Sequence, residues 1–140
     1  MYLVDSDVII DLLRGVKGSK EFLLGLFRSR AFISVLTVAE IMSGKETKQI
    51  SKREHILKFL KNFEIISVDY EVSVLAGEIR RDYNIPMADS IIAASALKNS
   101  LAIVTYNTKH FEKIPDLEVV KPDYRENRAS SKNAKSQGSP

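Results

Sequence analysis

Three carboxylates in this sequence lie where they could act together. Asp5, Glu40 and Asp89 each follow a short apolar run or fall in the first turn of a helical pattern. In an open parallel sheet, ligands bind outside the carboxyl ends of the strands, where acids from three distant segments can converge. Converged carboxylates raise one another's pKa unless a cation lies between them. The pattern therefore predicts a divalent metal site.

Each acid also has a purely structural interpretation. Thr37 and Glu40 fit a capping box, in which the glutamate reaches back to the start of its own helix. Asp89 suits the positive end of a helix dipole, and Asp5 or Ser6 could cap the first helix. Against this, Asp89 opens the most apolar helical stretch of the chain, and burying an unpaired charge is costly. No Lys or Arg lies within four residues of the three acids, so a metal or a distant lysine must supply the partner.

The composition is typical of one globular domain. The chain has 140 residues, an apolar fraction of 44% and no cysteine. The length allows a sizeable core, and the missing cysteine excludes a disulfide scaffold and zinc–thiolate sites. No basic segment precedes Asp5, and no apolar run approaches the ~20 residues of a membrane span. We therefore expect a cytoplasmic protein that contacts no membrane.

The formal net charge of +3 belongs to the end of the chain. Residues 121–140 hold five basic and two acidic groups, whereas residues 1–120 are neutral overall. The final segment has few apolar residues, a composition typical of disorder. We therefore expect a folded domain over residues 1–120 and a disordered basic tail over 121–140, either idle or in loose contact with nucleic acid.

Short apolar runs alternate with helical stripes along the domain. Strands are predicted at 3–4, 32–35, 65–68, 101–105 and 117–120, and helices at 8–14, 19–30, 37–42, 51–63, 70–83 and 89–98. This alternation indicates βα units and a mostly parallel sheet, the α/β class.

Four segments resemble, in order, the motifs of the PIN-domain nucleases, and especially the VapC-like toxins of toxin–antitoxin pairs. They read LVDSDVIIDLLRG (3–15), SVLTVAEI (34–41), PMADSIIAA (86–94) and VTYNTKHF (104–111). The resemblance implies a three-layer fold, a central sheet flanked by helices, and an endoribonuclease that depends on Mg²⁺ or Mn²⁺. It also implies an RNA substrate, a homodimer, and a VapB-like antitoxin whose tail blocks the acidic site.

Carried over by position, the resemblance assigns the acidic triad to Asp5, Glu40 and Asp89. Asp5 and Asp89 become the main metal ligands, and Glu40 completes the site or orients the attacking water. Asn107 falls where many members carry a fourth acid and others carry Asn. That departure removes one negative charge, which puts a second metal in doubt, although an amide oxygen can still bind or orient water.

The chemistry suits these residue types. Mg²⁺ takes oxygen ligands and is typically held by one or two carboxylates together with substrate phosphates. The ion would polarise a phosphodiester and lower the pKa of the attacking water. Ser6 and Thr105 are expected to hold the acids in place by hydrogen bonds.

Two other acids are interpreted as a solvated helix face. Asp7 and Asp11 lie one turn apart, and Asp11 can pair with Arg14 three residues later. The spacing of Asp5 and Asp7 also resembles that of haloacid-dehalogenase-type phosphatases, in which the first Asp attacks phosphorus. This chain lacks their later lysine and paired-acid motifs, so that function remains a distant alternative.

The basic residues between positions 45 and 61 are either a solvated face or a phosphate-binding surface. His55 and His110 have no suitably spaced partner and are interpreted as structural or surface residues. The apolar groups of helices 19–30 and 51–63 could form a partner groove or serve the core alone. The main alternative function is a catalytically degenerate PIN domain that binds RNA or protein. Asn107 favours it, and the three intact acids count against it.

Overall fold

A sheet of five parallel strands forms the centre of the computed structural model, which describes residues 1–126. The strands are β1 (Tyr2–Val4), β2 (Ala31–Ser34), β3 (Glu64–Ile66), β4 (Ala102–Val104) and β5 (Val119–Val120). Their order is β3-β2-β1-β4-β5, and every neighbouring pair is parallel. The helices are α1 (Ser6–Leu13), α2 (Ser19–Leu26), α3 (Val35–Met42), α4 (Ile50–Leu60), α5 (Tyr70–Tyr83), α6 (Met87–Lys98) and α7 (Thr108–Phe111), with a 3-10 turn at Lys45–Lys48.

The helices cover both faces of the sheet. Successive strand residues point to opposite faces, so Leu3 and Ile103 join an apolar cluster with α5, α6 and α7. Val4 and Val104 join a second cluster with α1 to α4. Parallel sheets are buried on both faces in this way. The predicted α/β fold, a mostly parallel sheet between two helical layers, is confirmed.

Helix α6 is buried on most sides. Its small residues Ala93, Ala94 and Ala96 are fully buried, which lets α5 pack closely against it. The hydroxyls of Ser90 and Ser95 are also buried, and each donates to the carbonyl four residues earlier. A helix that is apolar all round is expected to lie inside the protein, and α6 does.

The helix starts differ from the sequence prediction in a regular way. Helices α1, α3 and α6 each begin two residues earlier than the apolar pattern indicated. The pattern marks the first buried residue, whereas the cap fixes the first turn, and the three caps are Asp5, Ser34 and Pro86. Helix α7 was not predicted, because four residues are too short to show a period.

The packed part of the chain continues past the boundary expected at residue 120. Tyr124 is only 2% exposed and belongs to the same cluster as α1 to α4. The domain therefore includes at least residues 121–126, and the disorder expected of residues 127–140 lies outside the described residues. Within residues 1–126, no helix is both long and apolar enough to cross a membrane.

Candidate metal centre at the strand ends

The order in which strands are added to the sheet reverses between β1 and β4. From β1 the chain builds outward through β2 to β3, and it then returns to the other side of β1 to form β4 and β5. In open α/β sheets, ligands bind in the crevice at this switch point, outside the carboxyl ends of the strands. Asp5 directly follows β1 and Thr105 directly follows β4, so both lie at this crevice.

Asp5 is the most buried of the candidate acids, with 7% of its surface exposed. Its Oδ1 accepts from the Ser6 amide at 2.9 Å, which caps α1, and its Oδ2 accepts from the Thr105 hydroxyl at 2.9 Å. Burial, and after it the charge of Asp7, raise the pKa of Asp5 to about 7, although both hydrogen bonds oppose the shift. Asp89 adds a smaller upward contribution to this pKa.

Glu40 lies on α3, but it does not form the expected capping box. The N-cap of α3 is Ser34, whose hydroxyl accepts from the Leu36 amide at 3.1 Å. The capping-box interpretation is therefore wrong, because the helix starts before Thr37. The pKa of Glu40 is raised by partial burial of its carboxyl and then by the charge of Asp89, while the nearby Ser6 side chain lowers it. Glu40 thus faces the same region as Asp5 and Asp89.

Asp89 has a partner that the sequence did not reveal. His110 Nδ1, on α7, lies 2.6 Å from Asp89 Oδ2 in the first turn of α6. The two side chains are 31% and 17% exposed, respectively. The interpretation of His110 as a mere structural or surface residue is therefore incomplete. The two positions are 21 apart in the sequence, which is too far for a local spacing rule to find the pair.

The solvated-face interpretation of Asp7 and Asp11 is wrong. Asp7 Oδ2 accepts from the Tyr106 amide at 3.0 Å, and burial raises the pKa of this carboxyl. Asp11 is 8% exposed and accepts from Tyr124 and Arg125, rather than from Arg14 as expected. Asp7 therefore adds a fourth carboxylate beside the predicted triad.

The turn after β4 connects these acids. The Thr105 hydroxyl donates to Asp5 and accepts from the Asn107 amide at 3.0 Å. Asn107 is the N-cap residue of α7, but its side chain is exposed and makes no capping hydrogen bond. The structure thus brings the backbone of Asn107 to the site and leaves its amide group facing solvent.

A divalent cation suits this set of donors. Among the described residues, no Lys or Arg forms an ion pair with Asp5, Glu40 or Asp89. In the same part of the chain, no three His, Asp or Glu side chains stand close enough together to enclose one ion. That arrangement is compatible with Mg²⁺, which usually keeps several waters and takes only one or two carboxylates. The Thr37 hydroxyl, one turn before Glu40 on the same helix face, is buried and has no hydrogen-bond partner among residues 1–126.

A groove of about 1300 Å³ crosses α1, α2, α3 and α4 and shares Glu40 with this region. Its apolar wall includes Leu13, Leu24 and Phe59, and Glu40 lies along it. Basic groups border it at Lys20, Lys45 and Lys52, with His55 beside them. The predicted helices 19–30 and 51–63 therefore do supply a groove in addition to core residues.

Comparisons with known proteins agree with this geometry. The profile of the PIN domain family matches residues 2–117. Ribonuclease VapC10 of Mycobacterium tuberculosis (strain CDC 1551 / Oshkosh) is 32% identical over 130 residues, covering 89% of this chain and 93% of its own length. The tRNA(fMet)-specific endonuclease VapC of Shigella flexneri is 25% identical, with coverages of 83% and 93%. A solved toxin–antitoxin complex from Klebsiella pneumoniae superposes with a TM-score of 0.74 at 29% identity, covering 86% of this chain and 96% of its own.

The resemblance drawn from the four sequence motifs is thereby confirmed, and the phosphatase alternative loses its support. The match includes all three predicted acids and the turn after β4. By fold, motif order and family profile, the chain belongs to the PIN domain family and is a relative of the VapC ribonucleases.

Proposed function

We propose that this chain is a metal-dependent endoribonuclease that hydrolyses RNA phosphodiester bonds in the cytoplasm, as the toxin of a toxin–antitoxin pair. The observation that carries the proposal is Asp5, a buried carboxylate at the switch point of the sheet with a pKa raised to about 7. Such an acid is costly to the fold unless it serves a cation. VapC relatives that carry the names ribonuclease and endonuclease support the choice of RNA as substrate.

In this proposal Asp5 and Asp89 hold Mg²⁺ or Mn²⁺, and Glu40 acts directly or through water. When bound, the ion supplies a Lewis acid for the phosphodiester and lowers the pKa of a water. The Ser6 amide and the Thr105 hydroxyl keep the Asp5 carboxylate oriented through the two hydrogen bonds described above. Asn107 is assigned a supporting role toward substrate or water, because the residue is exposed and its amide donates to Thr105.

The test is cleavage of a total cellular RNA pool by the purified protein with Mg²⁺ or Mn²⁺, and with EDTA as the control. We expect cutting that requires the ion, and we expect the tRNA fraction to hold the substrate, as the name of the Shigella flexneri relative indicates for that protein. RNA binding without cutting in either metal would instead favour the degenerate, binding-only PIN domain.

His110 is expected to contribute to metal affinity by orienting Asp89. The His110→Ala variant loses the contact to Asp89 Oδ2, and supporting residues of this kind typically change affinity about 10- to 100-fold. Mn²⁺ titration by calorimetry measures the effect, with Lys109→Ala as the control, because Lys109 is the exposed neighbour. An unchanged Mn²⁺ affinity in His110→Ala would assign the histidine to packing alone.

We further propose that the apolar groove receives a VapB-like antitoxin. The similar toxin–antitoxin complex from Klebsiella pneumoniae supports a protein partner, and the basic border favours a partner with acidic groups beside its apolar face. The antitoxin would reach the acidic site from the groove, along which Glu40 lies. A homodimer, as the family resemblance implies, is part of the same proposal.

The Leu24→Glu substitution is expected to weaken antitoxin binding about tenfold or more, because it places a charge in the apolar wall. Leu24 is 54% exposed, so the fold should tolerate the change. The measurement is co-purification with the product of a short neighbouring gene, followed by titration. Ile65→Glu is the control, since Ile65 is 50% exposed on β3, outside the groove. Equal losses in both variants would contradict the assignment of the groove.

A further inference from the structure

The segment that follows β5 returns to the first helix. The Tyr124 hydroxyl donates to Asp11 Oδ2 at 2.7 Å, and Arg125 Nε donates to the same oxygen at 2.8 Å. Asp11 is buried, and a buried carboxylate is tolerated only when it is paired. Residues 124 and 125 therefore supply the partners that Asp11 requires.

The connection between α1 and α2 is shaped to admit Tyr124. At Gly18, an added Cβ would lie 2.9 Å from the Cβ of Tyr124, which is closer than two such atoms can approach. Gly18 also has a φ of +87°, a left-handed conformation that favours glycine. The close approach of Tyr124 is thus built into the helical layer, and this segment is part of the fold.

The same segment holds Tyr106, in the turn after β4. The Arg125 amide donates to the Tyr106 hydroxyl at 2.8 Å, and the Arg125 guanidinium lies 4.1 Å from the centre of the Tyr106 ring. The Tyr124 ring meets the same ring edge-on, with centroids 5.2 Å apart. A hydrogen bond, a cation–π contact and an aromatic pair therefore act on one side chain.

Tyr106 lies in the turn that forms hydrogen bonds with the acids Asp5 and Asp7. Its amide donates to Asp7, the preceding Thr105 donates to Asp5, and the following Asn107 amide donates to Thr105. Any movement of Tyr106 would change these three hydrogen bonds together. The contacts therefore form a continuous path from residues 124 and 125 to the acidic site.

We infer that Tyr124 and Arg125 form a C-terminal brace, a pair of positioning residues that hold the Thr105–Asn107 turn in the geometry the acidic site requires. The link to metal binding rests on the proposed function, whereas the link to the turn rests on the contacts alone. Residues that follow β5 thus act on the site by positioning the turn after β4.

The brace is tested by residue-resolved hydrogen exchange of the full chain in EDTA. In Arg125→Ala, we expect the amides of Tyr106 and Asn107 to exchange about tenfold faster, with the amide of Ile33 unchanged. Arg125→Lys keeps a cation near Asp11 and the Tyr106 ring. In this variant the Tyr106 and Asn107 amides should keep most of the protection that they have in the parent chain. Tyr106→Phe leaves the Asp11 pair intact, and it should accelerate the same two amides to a smaller degree. Lys121→Ala, in the same segment, should match the parent protein.

A second readout connects the brace to the site. Mn²⁺ titration of Arg125→Ala should show about tenfold weaker binding than the parent chain and Lys121→Ala. Unchanged exchange at Tyr106 and Asn107, or equal acceleration at Ile33, would overturn the brace even if the parent cuts RNA. If the Tyr106 and Asn107 amides are selectively accelerated in Arg125→Ala, but the parent chain neither binds Mn²⁺ nor cuts RNA, the brace is supported and the proposed function is refuted.

Discussion

Asp5→Asn is expected to lower metal-dependent RNA cleavage by at least about 100-fold, which corresponds to roughly 3 kcal/mol of transition-state stabilisation. The substitution removes the negative charge at the switch point and preserves the shape of the side chain. The Asn oxygen can still accept from the Ser6 amide, so the cap of α1 remains. The loss would therefore reflect the missing charge toward the cation, together with the altered contact to the Thr105 hydroxyl. The measurement is the initial rate of RNA cleavage in Mg²⁺ and in Mn²⁺.

The matched control for this variant is Asp82→Asn. Asp82 is an exposed aspartate on α5 that pairs with Arg81, and the pKa shifts of the acidic site do not involve it. We expect its cleavage rate to equal that of the parent. Full activity in Asp5→Asn would show that the cleavage comes from another site or from a contaminant.

Without metal, the Asp5→Asn variant is expected to be more stable than the parent protein at neutral and higher pH. Burial and the charge of Asp7 raise the pKa of Asp5 in the folded protein to about 7, from 3.8 in the unfolded chain. The folded state therefore binds this proton more tightly, and the contribution of Asp5 to stability is lost as the pH rises through about 7. At 1.36 kcal/mol per pKa unit, the ionised carboxylate costs up to about 4 kcal/mol at pH 8.

Urea unfolding in EDTA at pH 5 and pH 8 measures this cost. The free energy of unfolding of Asp5→Asn should exceed that of the parent at pH 8, and the difference should shrink toward pH 5. Adding Mn²⁺ at pH 8 should stabilise the parent more than the variant, because only the folded site binds the ion. A variant less stable than the parent at pH 8 would show that the negative charge of Asp5 is already compensated within the protein.

The local part of the candidate site could be predicted from sequence because Asp5 and Asp89 lie at element boundaries. The apolar run before Asp5 and the apolar helix after Asp89 are periodic patterns within about a dozen residues, the range over which burial leaves a readable signal. The α/β class and the α5 range of 70–83 depend on the same local patterns. Thr37 shows the limit, because the capping box was a valid local pattern that the earlier cap at Ser34 displaced.

The remaining part of the site depends on pairs far apart in the sequence. Asp11 has an acceptable local partner in Arg14, but its actual partners lie 113 and 114 residues away. His110 reaches Asp89 only because α7 packs beside α6, and no residue spacing encodes that contact. Low apolar content suggested that the segment from residue 121 was disordered, yet a single buried Tyr124 anchors its start. The average composition of a segment therefore does not show whether one of its side chains is buried in the core.

The strand order also has a consequence for synthesis of the chain. The central strand β1 is made first, but its neighbour β4 comes near the end, and the bond between Thr105 and Asp5 spans 100 residues. Contacts of such long sequence separation form late in folding, because the loop must close before they contribute free energy. A nascent chain still lacking β4 has no switch point, and one lacking residue 125 has no brace. The acidic site can therefore assemble only when the domain is almost completely translated, which keeps partly synthesised chains from having the geometry for cleavage.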